Sequence, residues 1–390
     1  MDFELPHELK NLQLRAREFI EKEALPLENG YRITPSELTP EVVASLKKKC
    51  REVKLVNITV PKEYGGLGLG VLAQIVRDME FGKTTLDFIN HGIGGYGSVW
   101  PVFYESSDYI KEKYMWPLIR GEKETGWAMT EPGAGSDFAG IKTTAVRQGD
   151  NYVLNGTKRF SSRCHFADFS CVFAYTNKDK GHRGVSVFLV DKGTPGFIVE
   201  KTFQIMGVDI EPLIRFENCV VPAKNMLGGE GMGFYMGVKQ FNSARLTEPA
   251  HAIGASERCL NLAIEYAKSR ELFGRHLGEF QAIQWMLADS KIDLECMRWM
   301  LYHAAWKTDK GEEDTRLECA MVKALGIEGA LRIIDRSMQV YGGIGLSEYY
   351  PFGYFYNWYR MLKSAEGSME IMRVIISREL LGRELGDLRK

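Results

Sequence analysis

The sequence lacks paired cysteines, metal-binding histidine spacings and long apolar runs. Its seven cysteines are odd in number and scattered, and none of them belongs to a Cys-x-x-Cys motif. A disulfide framework and a zinc ribbon are therefore not expected, and a reducing compartment fits best. Because no His-x-x-x-His spacing occurs either, we expect no metal site. The longest apolar runs are short, so no membrane-spanning helix is predicted.

An excess of charge of one sign is also missing. The 50 Lys and Arg residues are balanced by 51 Asp and Glu residues. No basic stripe predicts nucleic-acid binding, and no charge block predicts a disordered tail. The first residues, Met1-Asp2-Phe3-Glu4, are typical of neither a secretory signal nor an Arg-rich transit peptide. We therefore expect a cytoplasmic protein.

Length and periodicity predict helical domains at both ends of the chain. A chain of 390 residues is too long for one ordinary core. Apolar residues recur near helical spacing in residues 1–120, which we predict to form an N-terminal α-helical domain. Residues 236–390 are predicted to form a C-terminal four-helix bundle. Its periodic segments are 234–268, 279–309, 316–341 and 365–383.

Residues 121–235 follow a different pattern. Short segments rich in β-branched and aromatic residues alternate with turn signals such as Asn155-Gly156, and this pattern is typical of strands. Closely spaced strands with tight turns predict a compact antiparallel β domain. A glycine-rich stretch at 228–233 marks its end. The predicted fold class is α+β multidomain, with a central β domain between two helical domains.

The stretch from residue 127 to residue 137 is the most informative part of the sequence. It reads Trp-Ala-Met-Thr-Glu-Pro-Gly-Ala-Gly-Ser-Asp. Gly133 and Gly135 bracket one alanine, and this spacing lets a backbone turn tightly and bring its N–H groups close to a ligand. Two hydroxyl residues, Thr130 and Ser136, flank the turn. The alternative is an ordinary tight turn.

Six motifs in register resemble the acyl-CoA dehydrogenase family over nearly the full length. They are Glu63-Tyr64-Gly65-Gly66, Thr130-Glu131-Pro132-Gly133-Ala134-Gly135-Ser136-Asp137, Asn155-Gly156-Thr157-Lys158-Arg159-Phe160, Arg270-Glu271-Leu272-Phe273-Gly274, Gln339-Val340-Tyr341-Gly342-Gly343 and Glu366-Gly367-Ser368. The resemblance implies FAD as cofactor and an acyl-CoA thioester as substrate. It also implies removal of two hydrogens across the α,β bond, with an electron-transfer flavoprotein as electron acceptor.

The resemblance assigns one group of FAD contacts to the central domain. Trp127, Met129 and Thr130 are expected along the isoalloxazine, with backbone and hydroxyl groups bonded to its polar edge. Phe160 and Ser162 match an aromatic and a hydroxyl residue that lie against the flavin. For Phe160 the alternative is an ordinary aromatic of the β core.

A second group of FAD contacts is implied in the C-terminal domain. Arg270 and Phe273 resemble a pair that reaches the dinucleotide of an FAD held mainly by a neighbouring subunit. Further residues resemble parts of that shared site: Gln281, Gln339, Gly342 and Gly343. Ser368 is also expected to bind the cofactor. A planar guanidinium suits pyrophosphate oxygens, although a solvated helix-end charge is the alternative for Arg270. A shared site implies an oligomer, and the family suggests a homotetramer built as a dimer of dimers.

Glu366 matches the catalytic base of the family. The resemblance implies that its carboxylate takes the α-proton while hydride leaves the β-carbon for the flavin. A closed site that removes water raises the pKa of such a carboxylate towards the working pH. In the family, the backbone N–H of this residue and an FAD ribityl hydroxyl bind the thioester oxygen and stabilise the enolate. The alternative is that Glu366 only caps the last helix.

Substrate contacts are implied at four further positions. Ser136 resembles a residue that contacts the CoA arm, and Gly367 follows the base. Phe241 and Arg245 are expected beside CoA or the acyl pocket, although Arg245 is equally compatible with a structural salt bridge. Some family members carry the base one residue before this arginine, but Ala244 stands there and has no proton chemistry.

Departures from the family pattern affect the expected acyl group. Ile89 matches the carboxylate-binding arginine of glutaryl-CoA enzymes, which disfavours a glutarate-like substrate. Arg163 follows the predicted flavin contacts and is compatible with flavin tuning, a substrate carboxylate or solvent. Phe352, Tyr354, Phe355, Tyr356, Trp358 and Tyr359 form an aromatic cluster. The cluster is typical of a core but also compatible with a pocket for a cyclic, branched or aromatic acyl group.

Three other functions remain as alternatives. The same chemistry run in reverse gives an enoyl-CoA reductase acting on a cyclic, aromatic or branched substrate. Oxygen as acceptor gives an acyl-CoA oxidase, which rapid peroxide formation would reveal. A different class, a non-catalytic flavoprotein or assembly partner, would retain the fold without reacting. Bleaching of the yellow flavin by an acyl-CoA distinguishes the enzymes from this last class.

Overall fold

The computed structural model describes residues 4–28, 38–86, 99–312 and 314–382. The chain divides into two compact units. The first unit joins Met1–Gly95, Met206–Val208 and Asn242–Lys390, and the second joins Tyr96–Ile205 and Asp209–Phe241. Within the described ranges, no helix is both long and apolar enough to cross a membrane.

The N-terminal part of the first unit is helical. Its helices are α1 (His7–Phe19), α2 (Pro40–Glu52) and α3 (Val71–Phe81). Helix α2 begins at Pro40, because the Thr39 hydroxyl accepts a hydrogen bond from the Val42 N–H and proline is tolerated in the first turn. The glycine-rich residues 65–70 form a loop before α3.

In its described residues the C-terminal part of the first unit contains five α-helices; the predicted periodic segments match four of them, and the fourth helix in chain order has no predicted segment. These are α7 (Gly233–Ser269), α8 (Gln281–Asp309), α9 (Arg316–Tyr341), α10 (Phe352–Leu362) and α11 (Met369–Leu381). Helix α7 begins in the second unit and belongs to the first from Asn242 onwards. A short hairpin of β9 (Glu271–Leu272) and β10 (Arg275–His276) lies between α7 and α8.

The aromatic cluster predicted from the sequence lies on helix α10. Its rings at 352, 354, 355, 358 and 359 are buried among α7, α8 and α9 residues in the main hydrophobic core of the first unit. The core interpretation therefore applies to these five residues. The tip of a strand hairpin, Met206–Val208, belongs to the same unit. There the Asn357 side-chain amide donates to the Met206 carbonyl at 3.0 Å, and Val208 joins the core.

The second unit is built on one eight-stranded sheet. Three short helices precede it: α4 (Pro101–Tyr104), α5 (Asp108–Ile110) and α6 (Trp116–Arg120). The strands are β1 (Thr125–Ala128), β2 (Thr144–Gln148), β3 (Asn151–Arg159), β4 (Phe169–Tyr175), β5 (Val185–Asp191), β6 (Phe197–Ile205), β7 (Asp209–Pro222) and β8 (Met226–Leu227).

The sheet follows the order β6-β7-β3-β2-β4-β5-β8, with β1 paired to β4 off this path. Most neighbours are antiparallel as predicted, but β1 and β2 both run parallel to β4. The sheet is therefore mixed, a detail that closely spaced hairpins in the sequence do not reveal. Its buried side chains include Leu154, Val172 and Phe188.

Candidate active site

The glycine loop that follows β1 is a tight turn held by backbone bonds. Glu131 and Ala134 exchange N–H···O bonds of 2.9 and 3.1 Å. Gly133 and Gly135 are exposed, and a Cβ added at either would meet no atom within 4 Å. The backbone of the loop is therefore accessible, as its glycines predict.

A buried ion pair anchors this loop. The Lys158 ammonium donates to the Glu131 carboxylate at 2.9 Å, and their side chains are 0% and 6% exposed. Glu131 also accepts from the backbone N–H groups of Lys142 and Thr143 at 2.6 and 2.9 Å. Burial alone would raise the pKa of Glu131, but Lys158 and these N–H groups outweigh it, so the pKa lies below its usual value.

The predicted flavin contacts of the second unit lie on two bonded segments. The Trp127 N–H donates to the Ser162 carbonyl at 2.9 Å, and the Arg159 N–H donates to the Thr130 carbonyl at 2.8 Å. Lys158 donates to the Met129 carbonyl at 2.9 Å. The structure thus brings Trp127, Met129 and Thr130 alongside the segment that carries Ser162.

Phe160 is exposed rather than buried. It adopts a positive φ of 52°, its side chain is 46% accessible, and its ring lies 5.6 Å from that of Phe203. The β-core alternative for Phe160 is therefore wrong. An aromatic ring left on the surface beside the glycine-loop strand is available for stacking on a planar ligand.

Two neighbouring side chains, Ser162 and Arg163, are each bound to a carboxylate. The Ser162 hydroxyl donates to the largely buried Glu211 carboxylate at 2.6 Å. Arg163 forms an ion pair with Glu124 and lies over the Phe166 ring. Because Glu124 already neutralises Arg163, this arrangement disfavours Arg163 as the receptor of a substrate carboxylate.

The turn that carries Glu366 lies between α10 and α11 in the first unit. Glu366 has a positive φ of 53° and Gly367 one of 93°, conformations that cost a non-glycine residue free energy. Ser368 ends the turn as the N-cap of α11, its hydroxyl accepting from the Ile371 N–H at 3.4 Å. The helix cap is therefore Ser368, and the alternative in which Glu366 caps the helix is wrong.

A group of charged side chains surrounds this turn, and we name it the turn cluster: Arg245 and Glu248 from α7, Lys323 from α9, and Glu366. Arg245 Nε donates to the Glu366 carbonyl at 3.3 Å. Lys323 donates to the carbonyls of Ala365 and of Gly367, the latter at 2.7 Å. Arg245, Glu248 and Lys323 are all buried.

Burial dominates the electrostatics of the two cations. It lowers the pKa of Lys323 to about 8, even though the negative charges of Glu366 and Glu248 oppose the shift. Burial likewise lowers the pKa of Arg245 against the opposing charge of Glu366. The turn cluster contains two cations and two carboxylates, so its formal charges balance.

The second group of predicted FAD contacts lies on segments of the first unit that meet in a small apolar cluster. Leu277, just after the β9–β10 hairpin, and Val340, beside Gln339, pack in the same apolar cluster. The contact residues themselves are exposed: Arg270, Phe273, Gln281, Gln339, Gly342 and Gly343. Phe273 is 87% accessible, and neither Gly342 nor Gly343 has an atom within 4 Å of an added Cβ.

The predicted substrate contacts fall on both units. Ser136 and Phe241 belong to the second unit, and Arg245 and Gly367 to the first. Phe241 lies edge-on to Phe138 at 6.1 Å, and Phe138 stacks on Phe234. Ile89 lies outside the described residues. Among the described residues no cluster of His, Cys, Asp or Glu is suited to a metal.

Sequence reasoning missed Lys323 and Glu248. Lys323 interrupts an otherwise apolar face of α9 that includes Cys319, Ile327 and Ala330. A single lysine at a core position of a helix indicates a buried polar interaction, because an ammonium is rarely buried without a partner. Glu248 gives the same signal on α7, one turn after Arg245.

Three sequence profiles match the chain. They describe the acyl-CoA dehydrogenase N-terminal domain over residues 6–122, the middle domain over 126–219 and the C-terminal domain over 231–381. Together with the fold, these matches define a flavoprotein oxidoreductase that acts on the CH–CH bond of CoA thioesters. The chain belongs to the acyl-CoA dehydrogenase family.

Related proteins include both dehydrogenases and reductases. An acryloyl-CoA reductase (NADH) from Anaerotignum propionicum is 36% identical over 98% of this chain and 97% of its own. A short-chain-specific acyl-CoA dehydrogenase from Clostridium acetobutylicum is 33% identical over 97% and 99%. A 3-(aryl)acrylate reductase from Clostridium sporogenes is 34% identical over 98% and 100%.

Solved structures agree with this assignment. Butyryl-CoA dehydrogenase from Megasphaera elsdenii matches with a TM-score of 0.87 and 31% identity over 98% of this chain and 100% of that one. A chain from a structure of the electron transferring flavoprotein of Acidaminococcus fermentans matches with 0.87 and 32% over the same shares. An FAD complex of PigA matches with 0.85 and 28%. FAD is the cofactor of this family.

Proposed function

We propose that Glu366 is the base that removes the α-proton of an acyl-CoA during its dehydrogenation to the 2-enoyl-CoA. The observation that carries the proposal is the turn itself. Glu366 holds a left-handed conformation, its own carbonyl accepts from Arg245, and the carbonyls of the residues on either side accept from Lys323. Strained backbone that buried side chains hold in place is typical of functional sites. A carboxylate near buried charges is also suited to proton transfer.

The described residues fit FAD at two places. Trp127, Met129 and Thr130 offer backbone and hydroxyl groups beside an open glycine loop, with the exposed Phe160 ring nearby. Arg270 and the exposed glycines at 342 and 343 offer a guanidinium and accessible backbone, which suit phosphate oxygens. FAD, when bound, supplies the acceptor for the hydride that leaves the β-carbon.

Within the chain, Glu366 provides both the base and a backbone donor. Its carboxylate accepts the α-proton, and its N–H is proposed to donate to the thioester oxygen, which gains negative charge as the proton leaves. A glycine suits position 367, because the Cβ of any other residue there would come within 2.9 Å of Met372 and 3.2 Å of Arg245.

A basic loop extends the proposed CoA site of the second unit beyond Ser136. Residues 178–184 carry Lys180 and Arg183, which line a surface cleft with His182. The His182 ring lies 5.2 Å from that of Phe234, which also stacks on Phe138. Cations beside stacked rings suit the phosphates and the adenine of CoA.

The oligomer and the electron acceptor are proposals as well. Helix α8 exposes Trp285, Ile292, Trp299 and Trp306 at intervals of seven residues, which places them near one face of the helix. A large exposed apolar face is typical of an interface, and this one supports a homotetramer in which a neighbouring chain completes the FAD site. An electron-transfer flavoprotein is the proposed electron acceptor. We also propose that the protein is cytoplasmic and that it has three domains, divided near residues 120 and 235.

The reductase direction is a second candidate, because two related proteins are named reductases of acrylate-type substrates. In that direction Glu366 would deliver the proton to the α-carbon while hydride is added to the β-carbon. Both directions use the same residues, so the available electron partner and the acyl group decide between them.

The test is an anaerobic titration of FAD-loaded protein with straight, branched, cyclic and aryl-substituted acyl-CoA esters. Flavin bleaching by one saturated ester would support the dehydrogenase direction and identify the acyl class. If only a matching enoyl-CoA reoxidises dithionite-reduced protein, the reductase direction replaces it. If neither occurs, the proposed function is wrong.

A further inference from the structure

The carbonyls of three consecutive residues in the Glu366 turn are bound by cations from two different helices. Lys323 of α9 donates to the carbonyls of Ala365 and Gly367, and Arg245 of α7 donates to the carbonyl between them. Without these cations, the carbonyls would need hydrogen bonds from water or from backbone N–H groups. The conformation of the turn therefore depends on these two side chains.

The Lys323 ammonium is in an unfavourable place for a charge. Its side chain is 1% exposed, and burying an ammonium is strongly unfavourable unless it is paired and hydrogen-bonded. Two carbonyls bind it, and the carboxylates of Glu366 and Glu248 interact with its charge. A methionine would fill such a position in a helical core without this cost, so packing does not explain the lysine.

The Ala365 carbonyl links Lys323 to the proposed chemistry. The peptide bond between Ala365 and Glu366 is planar, and no cis peptide bond occurs in the described residues. In a trans peptide, C=O and N–H point in opposite directions. Lys323 therefore fixes the direction of the Glu366 N–H when it binds the Ala365 carbonyl. A cation on the carbonyl also polarises the peptide and makes its N–H a stronger donor.

We propose that Lys323 is a positioning residue of the reaction, which aims and polarises the Glu366 N–H at the thioester oxygen while it fixes the turn that carries the base. This inference rests on the proposed function of Glu366. It assigns Lys323 to transition-state stabilisation, because the thioester oxygen gains charge only as the α-proton leaves. Substrate affinity then depends little on Lys323.

The variants are Lys323→Met, which removes the donors and the charge, and Lys323→Arg, which keeps both. Cys319→Ala is the matched control, since Cys319 is buried one helical turn earlier on α9 and its side chain is also in the core. FAD content and circular dichroism of each purified protein establish that it is folded. Two measurements follow on the FAD-loaded proteins.

The first measurement needs no substrate. Hydrogen–deuterium exchange should be at least about tenfold faster at the Glu366 amide segment in Lys323→Met than in wild type, and unchanged in Cys319→Ala. The second is the rate constant for anaerobic bleaching by the fastest ester of the acyl-CoA panel. Lys323→Met should lower it by roughly 100-fold, the effect of a misplacement of about 1 Å, with the ester Kd nearly unchanged. Lys323→Arg should recover part of this loss.

Wild-type bleaching rates in Lys323→Met would overturn the inference, as would a loss confined to the ester Kd or to FAD content. Unchanged exchange at the Glu366 amide would overturn it as well, because the turn would then be held without Lys323. If no ester bleaches the wild type, the proposed function fails, and the exchange measurement still tests whether Lys323 fixes the turn.

Discussion

Replacing Lys158 by methionine should destabilise the second unit through the carboxylate that it leaves behind. In the native protein Lys158 pairs with Glu131 at 2.9 Å and also donates to the Met129 carbonyl. Methionine fills a similar volume without a donor. The backbone N–H groups of Lys142 and Thr143 remain on Glu131, but its charge would have no cation.

The expected cost is about 3–5 kcal/mol, the usual effect of breaking a buried ion pair on one side. For a unit of this size that corresponds to a fall of roughly 10 °C in the apparent melting temperature. The double variant Lys158→Met/Glu131→Gln should recover much of this loss, because an amide in place of the carboxylate removes the unpaired buried charge.

The loss should also depend on pH. The pKa of Glu131 is lowered in the native protein, so its ionised form contributes stability above the unfolded pKa, and this contribution is lost as pH falls through the folded pKa. Without Lys158, burial instead favours the neutral acid. Burial lowers the pKa of Lys158 to about 8, so the ion pair is fully charged only below that pH. The melting temperatures of wild type and variant should therefore differ more near pH 7 than near pH 5.

The assay is thermal unfolding followed by circular dichroism and by FAD fluorescence, with Lys142→Met as an exposed control. A decrease of less than about 1 kcal/mol, or an equal decrease in the double variant, would refute the reasoning. The first result would mean that the N–H groups alone hold Glu131 and the glycine loop. The second would mean that the loss does not arise from the unpaired carboxylate.

Other substitutions test the two cofactor segments and the turn. Arg270→Ala should raise the dissociation constant of FAD by about 10–100-fold, the usual value of a charge-assisted hydrogen bond, as measured by reconstitution of the apoprotein. Lys180→Ala/Arg183→Ala should raise KM with kcat nearly unchanged, and the effect should shrink at high salt; a loss in kcat alone would contradict a CoA role. Gly367→Ala should slow flavin bleaching, because Gly367 has a φ of 93° and a Cβ there would lie 2.9 Å from Met372.

Much of the fold is predictable from local pattern. The long helices follow from apolar residues at helical spacing, and the strands from alternating segments between turn residues. Helix α10 is harder to predict, because six of the eight residues 352–359 are aromatic and aromatic residues are more typical of strands. The parallel pairing of β1 with β4 joins residues far apart in sequence, so no turn signal indicates it.

The candidate site is only partly visible in the sequence. Motif spacing identifies Glu366, the glycine loop and Arg270, since each belongs to a short continuous segment. Lys323 contributes to the site through two backbone carbonyls some 40 residues later in the chain. Such a contact depends on helix packing and not on spacing, because any residue type can supply a carbonyl.

The central claim, that Glu366 is the base, is tested most directly by the bleaching rate of Glu366→Gln. Glu370→Gln is the matched control, since Glu370 is an exposed carboxylate in the first turn of α11. With the fastest ester of the panel under anaerobic stopped flow, we expect Glu366→Gln to lose about 10²–10⁴-fold in rate, the usual contribution of general-base catalysis. Glu370→Gln should react like wild type. Bleaching of Glu366→Gln at the wild-type rate would contradict the account.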